Sequence, residues 1–286
     1  MEYSVLSNGV KMPILGYGVY QVTKEECERC VLDALSVGYR HIDTAQAYFN
    51  EAEVGSAIAK SGIPRNKLFI TTKVWIENYG YEKTKASVAE SVKKLGTDYI
   101  DLVLLHQPFS DYYGAWRALE ELYGEGKIRA IGISNFYADR MIDLAAFAKV
   151  KPMVNQMETH IFNQQTELKK WADKYGIRLE AWGPFAEGRG GVFDNPVITE
   201  IGAKYGKTAA QVMLRWNIQR GVVVIPKSTH KERMAENFDV FDFALSDEDM
   251  AKIASLDKNE SSFFSHRDPN TVEWFIDLVA KRHGKS

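Results

Sequence analysis

The chain has 286 residues, of which 45% are hydrophobic and 26% are charged, so it can bury a sizeable core in one large domain or two small ones. Its formal net charge of −2 gives no electrostatic reason to expect a nucleic acid or an anionic membrane as a partner. The sequence shows neither a signal-peptide pattern nor an apolar run of about 18 residues, so we expect a cytoplasmic protein.

The chain opens with a hairpin pattern over residues 1–13, in which Asn8 and Gly9 separate two apolar–polar runs. Short apolar strands then alternate with amphipathic helices. The predicted strands are 14–16, 40–42, 68–73, 100–105, 128–133, 153–156, 178–182 and 222–225. The helices that follow them are 24–37, 51–61, 81–95, 113–124, 137–148, 165–175, 208–219 and 231–237. Cys27 and Cys30 lie inside the first helical pattern, which favours two reduced helix cysteines over a redox motif.

Repetition of the strand–helix unit predicts a single (β/α)8 barrel domain over residues 1–286. A doubly wound sheet fits the pattern locally, but the number of units and the short strands favour the barrel. The opening hairpin would close the N-terminal end of the barrel. Extra helices are expected in residues 183–207, after strand seven, and at the C-terminus, where residues 246–249 form a capping-box pattern. The tail helix, 270–282, suits docking on the barrel or on another subunit. We expect a monomer, with a dimer as the alternative.

Charged and phenolic side chains follow three successive predicted strands, at the end where such barrels place their chemistry. Asp43 ends strand two with Tyr48 in the loop beyond it, Lys73 ends strand three and His106 follows strand four. This set suits proton donation to a carbonyl oxygen. The ammonium would lower the pKa of Tyr48 from its ordinary value near 10, Asp43 would keep Lys73 charged, and His106 would orient the carbonyl or relay a proton. For each residue alone a structural role remains open.

Six segments between Gly38 and Ser246 form a recognisable set: GYRHIDTAQAYFNEAEVG, LFITTKVW, DYIDLVLLHQP, GKIRAIGISNF, NQMETH and IPKSTHKERMAENFDVFDFALS. They closely resemble the aldo-keto reductases, and the resemblance extends from the opening hairpin to about Asp257. It implies a (β/α)8 barrel that reduces aldehydes and ketones with a nicotinamide cofactor and without a metal. Asp43, Tyr48, Lys73 and His106 match the family's catalytic tetrad, with Tyr48 as the general acid.

The same resemblance implies a site for NADPH or NADP. Ser134, Asn135 and Gln156 match the positions that bond the nicotinamide carboxamide. Trp182 matches the aromatic residue that stacks on the nicotinamide ring, which is usually a tyrosine. Gly183 replaces a usual serine, so a side-chain contact to the pyrophosphate is missing and backbone amides would serve instead.

A cationic cluster follows the last predicted strand, formed by Lys227, Ser228 and Arg233 at the start of the next helix. A helix N-terminus with cationic side chains suits a phosphate group. Lys227 and Arg233 resemble the residues that hold the 2′-phosphate, which predicts a preference for NADPH. Glu236 and Asn237 match adenine contacts.

Aromatic residues after strands one, three and four, namely Tyr20, Trp75 and Phe109, are expected to wall the substrate pocket together with the tetrad histidine. The tail segment 259–267 should overhang the same mouth. The glycine-rich stretch 188–191 is expected to be a flexible lid over the cofactor pyrophosphate. The partner would be a small carbonyl compound, and dicarbonyls, aromatic aldehydes, keto esters and keto sugars all remain open.

Two other functions compete with the reductase. The first is a non-catalytic, NADP(H)-binding barrel that acts as a redox-sensing subunit, against which the intact tetrad argues. The second is a Schiff-base aldolase or isomerase that uses Lys73. That chemistry needs an unpaired lysine of low pKa, whereas Asp43 and the phenol would hold Lys73 charged.

Overall fold

The computed structural model describes residues 2–282. Its opening hairpin consists of β1 (Tyr3–Val5) and β2 (Lys11–Pro13), which pair antiparallel. Met12 is fully buried. Arg178 Nε donates a hydrogen bond to the Val5 carbonyl oxygen at 3.2 Å, and Arg178 begins one of the barrel strands. The hairpin therefore lies at the N-terminal end of the barrel, as predicted.

Eight parallel strands form one sheet in the order of the chain. They are β3 (Tyr17–Gly18), β4 (His41–Asp43), β5 (Phe69–Val74), β6 (Leu102–Leu105), β7 (Ile131–Ser134), β8 (Val154–Glu158), β9 (Arg178–Trp182) and β10 (Val223–Val224). The sheet closes on itself, because the Gly16 amide donates to Val224 O at 2.8 Å and the Val224 amide donates to Ile14 O at 2.9 Å. The predicted (β/α)8 barrel is confirmed.

The first barrel strand extends beyond its predicted bounds of 14–16. Its regular pairing with β4 covers Tyr17–Gly18, while Leu15 pairs with Val224 of the last strand. This strand lies between β4 and β10 in a strongly curved sheet, so its second half pairs with β4 and its first half with β10. Gly16 allows this course, because a Cβ there would lie 2.5 Å from Nδ1 of His41 in the barrel interior.

Eleven α-helices lie among the described residues, and those that follow barrel strands surround the sheet. They are α1 (Lys24–Val37), α2 (Glu51–Lys60), α3 (Tyr81–Leu95), α4 (Tyr112–Gly124), α5 (Ala138–Phe147), α6 (Thr166–Tyr175), α7 (Pro196–Tyr205), α8 (Ala209–Gln219), α9 (Lys231–Phe238), α10 (Asp247–Ala254) and α11 (Pro269–Arg282). The expected extra helices are α7, α10 and α11. Ser246 is the N-cap of α10 and forms the predicted capping box: the Asp249 amide donates to its hydroxyl at 3.2 Å. Within residues 2–282, none of these helices has the length and apolar character needed to cross a membrane.

The tail helix α11 docks on its own barrel, which the sequence left undecided. Phe275 is only 3% exposed, and its ring lies 5.9 Å from that of Trp75 and 5.4 Å from that of Phe109. The helix thereby covers part of the C-terminal mouth of the barrel. Cys27 and Cys30 are both buried, unpaired residues of α1.

Candidate active site

The C-terminal ends of β4, β5 and β6 bring the predicted catalytic residues together around one cavity of about 700 Å³. Asp43, Tyr48 and His106 line this cavity, and Lys73 lies beneath it, fully buried. Tyr48 ends a short 3-10 turn that follows β4. Strand ends and a single turn thus position all four groups.

Lys73 is held by three hydrogen bonds, which use every N–H of its ammonium group. Its Nζ donates to Asp43 Oδ1 at 2.5 Å, to the Thr44 carbonyl oxygen at 3.0 Å and to the Tyr48 hydroxyl at 3.2 Å. The cation is therefore fixed directly against the phenol.

The charge state of Lys73 follows from its neighbours. Burial alone lowers the pKa of Lys73, but the charge of Asp43 and the Tyr48 hydroxyl outweigh it and raise that pKa to about 12. Burial raises the pKa of Asp43, while the Lys73 ammonium 2.5 Å away lowers it. A charged, fully hydrogen-bonded lysine is a poor amine nucleophile, so the Schiff-base alternative loses the unpaired lysine that it requires.

The acidity of Tyr48 differs from the sequence prediction. Burial raises the pKa of Tyr48 to about 12, and the Lys73 ammonium lowers it only in part. The predicted net lowering is wrong because loss of hydration outweighs the nearby cation. Tyr48 consequently keeps its proton at neutral pH, and the cation opposes the effect of burial on the phenolate.

His106 is a neutral hydrogen-bonding group. Its ring lies 5.6 Å from that of Tyr48 and 5.1 Å from that of Trp75. Burial lowers the pKa of His106 well below 6.5, and the charge of Lys73 adds to this effect. The Nδ1 atom is buried without a hydrogen-bond partner among residues 2–282. An uncharged imidazole can hydrogen bond a carbonyl oxygen without competing with Tyr48 as an acid.

The four residues matched to the nicotinamide form one hydrogen-bonded wall of the cavity. Ser134 Oγ donates to the Gln156 carbonyl oxygen at 2.9 Å, and Trp182 Nε1 donates to Asn135 Oδ1 at 2.9 Å. Asn135 Nδ2 donates to the His106 carbonyl oxygen at 3.0 Å. Asn135 adopts a left-handed φ of 66°, a conformation that asparagine tolerates better than most residues.

The residues matched to the rest of the cofactor divide into two groups. Gly183 and Lys227 line the cavity. The other four lie on the loop after β10 and on α9, outside the cavity wall; they are Ser228, Arg233, Glu236 and Asn237. Arg233 is exposed on the first turn of α9 and forms no ion pair with an acid among residues 2–282. Glu236 accepts a hydrogen bond from Thr208 Oγ1 at 2.8 Å.

Of the three aromatic residues expected to wall the substrate pocket, Tyr20 and Trp75 line the cavity and Phe109 does not. Phe109 lies behind α11 and lines a separate cavity of about 580 Å³. The tail helix comes between Phe109 and the main cavity. Its own side chains complete the wall instead, and sequence reasoning missed them: Trp274, Phe275, Leu278 and Arg282.

The segment 259–267 overhangs the mouth, as expected, and Phe263, Phe264 and His266 line the cavity. Glu158, at the end of β8, anchors this segment by accepting a hydrogen bond from the Ser262 amide at 2.7 Å. Arg189 ties it to the glycine-rich stretch: its Nη1 donates to the Ser262 carbonyl oxygen at 2.7 Å. Arg189 thus joins the stretch 188–191 to the tail, and a flexible lid over the cofactor pyrophosphate stays a prediction.

Sequence reasoning also missed a buried acid, Glu180, one layer below the cavity. It is fully buried on β9 and accepts a hydrogen bond from Gln156 Nε2 at 2.9 Å. A signal for it was available: Glu180 interrupts a buried strand and lies two residues before Trp182, so both side chains point to the same face.

Comparison with known proteins identifies the family of the chain. The profile of the Aldo/keto reductase family matches residues 14–258, which include the barrel and every predicted site residue. The chain belongs to the aldo/keto reductase family. Membership makes it an oxidoreductase of a family that uses NADP(H).

Similar aldo/keto reductases include enzymes for small dicarbonyls. The chain is 50% identical over 257 residues to glyoxal reductase of Bacillus subtilis (strain 168), covering 89% of this chain and 92% of that protein. It is 44% identical over 258 residues to methylglyoxal reductase DkgA of Escherichia coli (strain K12), covering 89% and 93%. Among solved structures, an aldo-keto reductase of Bombyx mori in complex with NADP has a TM-score of 0.89 at 34% identity, covering 95% of this chain and 96% of that one.

Proposed function

We propose that this protein reduces small aldehydes and ketones to alcohols with NADPH, using Tyr48 as the general acid. The observation that carries the proposal is the buried Lys73 ammonium, fixed 3.2 Å from the Tyr48 hydroxyl and 2.5 Å from Asp43. Bound NADPH supplies the hydride that attacks the carbonyl carbon.

Tyr48 donates its proton to the carbonyl oxygen as the new C–H bond forms. The electron pair of the broken O–H bond stays on the phenolate, which the adjacent Lys73 ammonium stabilises. This cation is in place before the charge develops, so little reorganisation is needed during the reaction. Neutral His106 hydrogen bonds the same carbonyl oxygen and orients it toward Tyr48.

The residues present fit a nicotinamide cofactor. The indole of Trp182 offers a flat apolar face beside the amide groups of Asn135 and Gln156. The side-chain oxygen of Gln156 makes no hydrogen bond with residues 2–282 and is available to a ligand. Gly183, with φ of 59°, lines the path along which a pyrophosphate would run.

NADPH is the proposed form of the cofactor because cationic side chains lie on the loop after β10 and on the first turn of α9. Lys227 and Arg233 would hold the 2′-phosphate, Arg233 by forked hydrogen bonds that suit a phosphate group. Ser228 would support the same phosphate, and Glu236 and Asn237 would contact the adenine. This assignment rests on their match to the family motif and on the exposure of Arg233.

Small dicarbonyls are the proposed first substrates. Glyoxal and methylglyoxal are the compounds named for two similar enzymes. Tyr20 and Trp75 provide aromatic walls near the tetrad, with the Tyr20 ring 5.0 Å from that of Tyr48. A cavity of about 700 Å³ also accommodates larger aldehydes, so the range of accepted carbonyl compounds should be broad.

The test compares the wild type with Tyr48→Phe in the oxidation of NADPH by methylglyoxal and a panel of aldehydes. We expect the substitution to lower kcat by about 10²–10⁴-fold, the range for loss of a general acid, with NADPH affinity by fluorescence unchanged. Full turnover by the variant would refute Tyr48 as the acid. NADPH binding by the wild type without turnover of any carbonyl would support the redox-sensing alternative.

A further inference from the structure

Glu180 is the most deeply placed acid near the cavity. It is 0% exposed, and it lies in register with Gln156 of the neighbouring strand β8. Its side chain points into the barrel on the same face as Trp182, whose indole lines the cavity. Burying an acid without hydrogen-bond partners costs folding free energy. The contacts of Glu180 therefore indicate its role.

The Gln156 amide is held between two carboxyl groups. Its Nε2 donates to Asp43 Oδ2 at 2.9 Å and to Glu180 Oε2 at 2.9 Å. A primary amide has two N–H donors and one oxygen acceptor, so both donors are taken. The two carboxyl oxygens accept hydrogen bonds, so the Nε2 side of the Gln156 amide faces them in the barrel interior. The side-chain oxygen of Gln156 therefore faces the cavity.

We propose that Glu180 is a positioning residue that acts with Asp43 to direct the Gln156 oxygen at the cavity, which makes the site selective for a ring substituent with N–H donors. That substituent is the primary carboxamide of nicotinamide, so the inference rests on the proposed function. Ser134 and Asn135 lie at the end of the neighbouring strand β7 and form part of the same cavity wall. The Gln156 oxygen is an acceptor that this wall presents for an N–H group, because both N–H donors of the amide are already used.

The charges around Glu180 support this role. Among residues 2–282, the ammonium group that acts on both carboxyl groups is that of Lys73, which donates a hydrogen bond to Asp43. Burial raises the pKa of Glu180 to about 8, and the charge of Asp43 adds to the rise. Burial and the neighbouring carboxylate thus both favour the neutral form of Glu180. Its second oxygen lies 3.7 Å from Nε2 of His41, an imidazole that burial keeps uncharged.

Comparing Glu180→Gln with Glu180→Met distinguishes a residue that positions the Gln156 amide from one that only fills space in the barrel. Glu180→Gln resembles the neutral acid, with one acceptor oxygen for Gln156 and one donor group toward His41. Glu180→Met has a similar volume but no acceptor, so one N–H of Gln156 loses its partner and the amide is free to turn. Glu180→Thr, which is smaller, is a second variant in case the Met variant does not fold.

The experiment measures the dissociation constants of NADP+ and of its 3-acetylpyridine analogue by quenching of protein fluorescence. The analogue has a methyl group in place of the carboxamide NH2 and therefore offers no N–H donor. We expect the wild type and Glu180→Gln to bind NADP+ more tightly than the analogue by about tenfold, the usual effect of one buried hydrogen bond. In Glu180→Met and Glu180→Thr, this preference should fall to about twofold or less.

Glu51→Gln is the matched control, because Glu51 is a buried glutamate that hydrogen bonds Thr72 and not Gln156. It should keep the full preference for NADP+. If Glu180 had a purely structural role, its replacement would weaken the binding of NADP+ and of the analogue equally, and the ratio of their dissociation constants would stay unchanged. That result would overturn the proposal. A wild type that binds NADP+ and the analogue equally well would also overturn it. A wild type that binds neither nucleotide would instead refute the proposed function.

Discussion

The ammonium of Lys73 lies 3.2 Å from the hydroxyl of Tyr48, and no part of the lysine side chain reaches solvent. Burial alone would make this tyrosine a very weak acid. The cation opposes that effect, and its hydrogen bond to Asp43 keeps it in place. The pair therefore combines a proton that is retained at rest with a conjugate base that is stabilised once the proton leaves.

Replacement of Lys73 by Met should affect both catalysis and stability. We expect kcat to fall by about 10²–10⁴-fold because the phenolate loses its counter-ion. The free energy of unfolding should fall by about 3–5 kcal/mol, since Asp43 would be left buried and unpaired. Steady-state kinetics and urea unfolding measure the two effects. The double variant Lys73→Met/Asp43→Asn should regain most of the stability but not kcat, and a parallel recovery of both would contradict this account.

Two buried histidines should each lower the stability of the fold at low pH, against the opposite contribution of Glu180, whose pKa burial raises. Burial lowers the pKa of His41 to about 3 and that of His106 well below 6.5. The unfolded chain binds protons at these residues below about pH 6.5, whereas the folded protein does not, so stability is lost as the pH falls. His41 contributes a loss of about 2 kcal/mol between pH 7 and pH 5, and His106 adds a loss of the same sign.

Urea unfolding at these two pH values checks this prediction. The variant His41→Gln keeps a side-chain acceptor for Thr71, the hydrogen-bond partner of His41 at 3.0 Å. It should lose about 2 kcal/mol less than the wild type over the same interval. An equal loss in both proteins would show that His41 is protonated in the folded state.

Replacement of Arg233 by Ala should reduce the preference for NADPH. A guanidinium–phosphate contact contributes about 1.5–3 kcal/mol, so the ratio of kcat/KM for NADPH to that for NADH should fall at least about tenfold. Lys231→Ala is the control, because Lys231 is a half-exposed cation on the same first turn of α9. If both variants change the ratio equally, general electrostatic attraction would explain the preference better than a specific contact.

The contact between Arg189 and the tail should slow release of the cofactor. Arg189 lies 4.3 Å over the Phe263 ring, and Phe263 packs 5.2 Å from Trp182. In Arg189→Met we expect NADPH to dissociate about tenfold faster in stopped-flow fluorescence, because a charged hydrogen bond and a cation–π contact are lost. Arg267→Met is the control, since Arg267 belongs to the same tail but pairs with Asp139. Equal dissociation rates in wild type and Arg189→Met would refute a closing role for this contact.

The barrel fold and the meeting of the tetrad residues could be predicted from local sequence patterns. Each strand is a short apolar run, and in a parallel barrel all strands end at the same rim. For that reason the positions of Asp43, Lys73 and His106 in the chain were enough to predict that they meet. The capping box at Ser246 was equally readable, because a helix start depends on residues only a few positions apart.

Three features depended on distances that no local pattern contains. The pKa of Tyr48 is the balance of burial against one cation, and the sequence supplies the cation but not the depth of burial. Phe109 does not line the main cavity because α11 docks between Phe109 and that cavity. This docking depends on the contact of Phe109 with Phe275, which is more than a hundred positions away in the chain. Glu180 was visible as an acid in an apolar strand, but its role depends on strand register. Register decides which side chains share a layer of the barrel, and here it sets Glu180 beside Gln156.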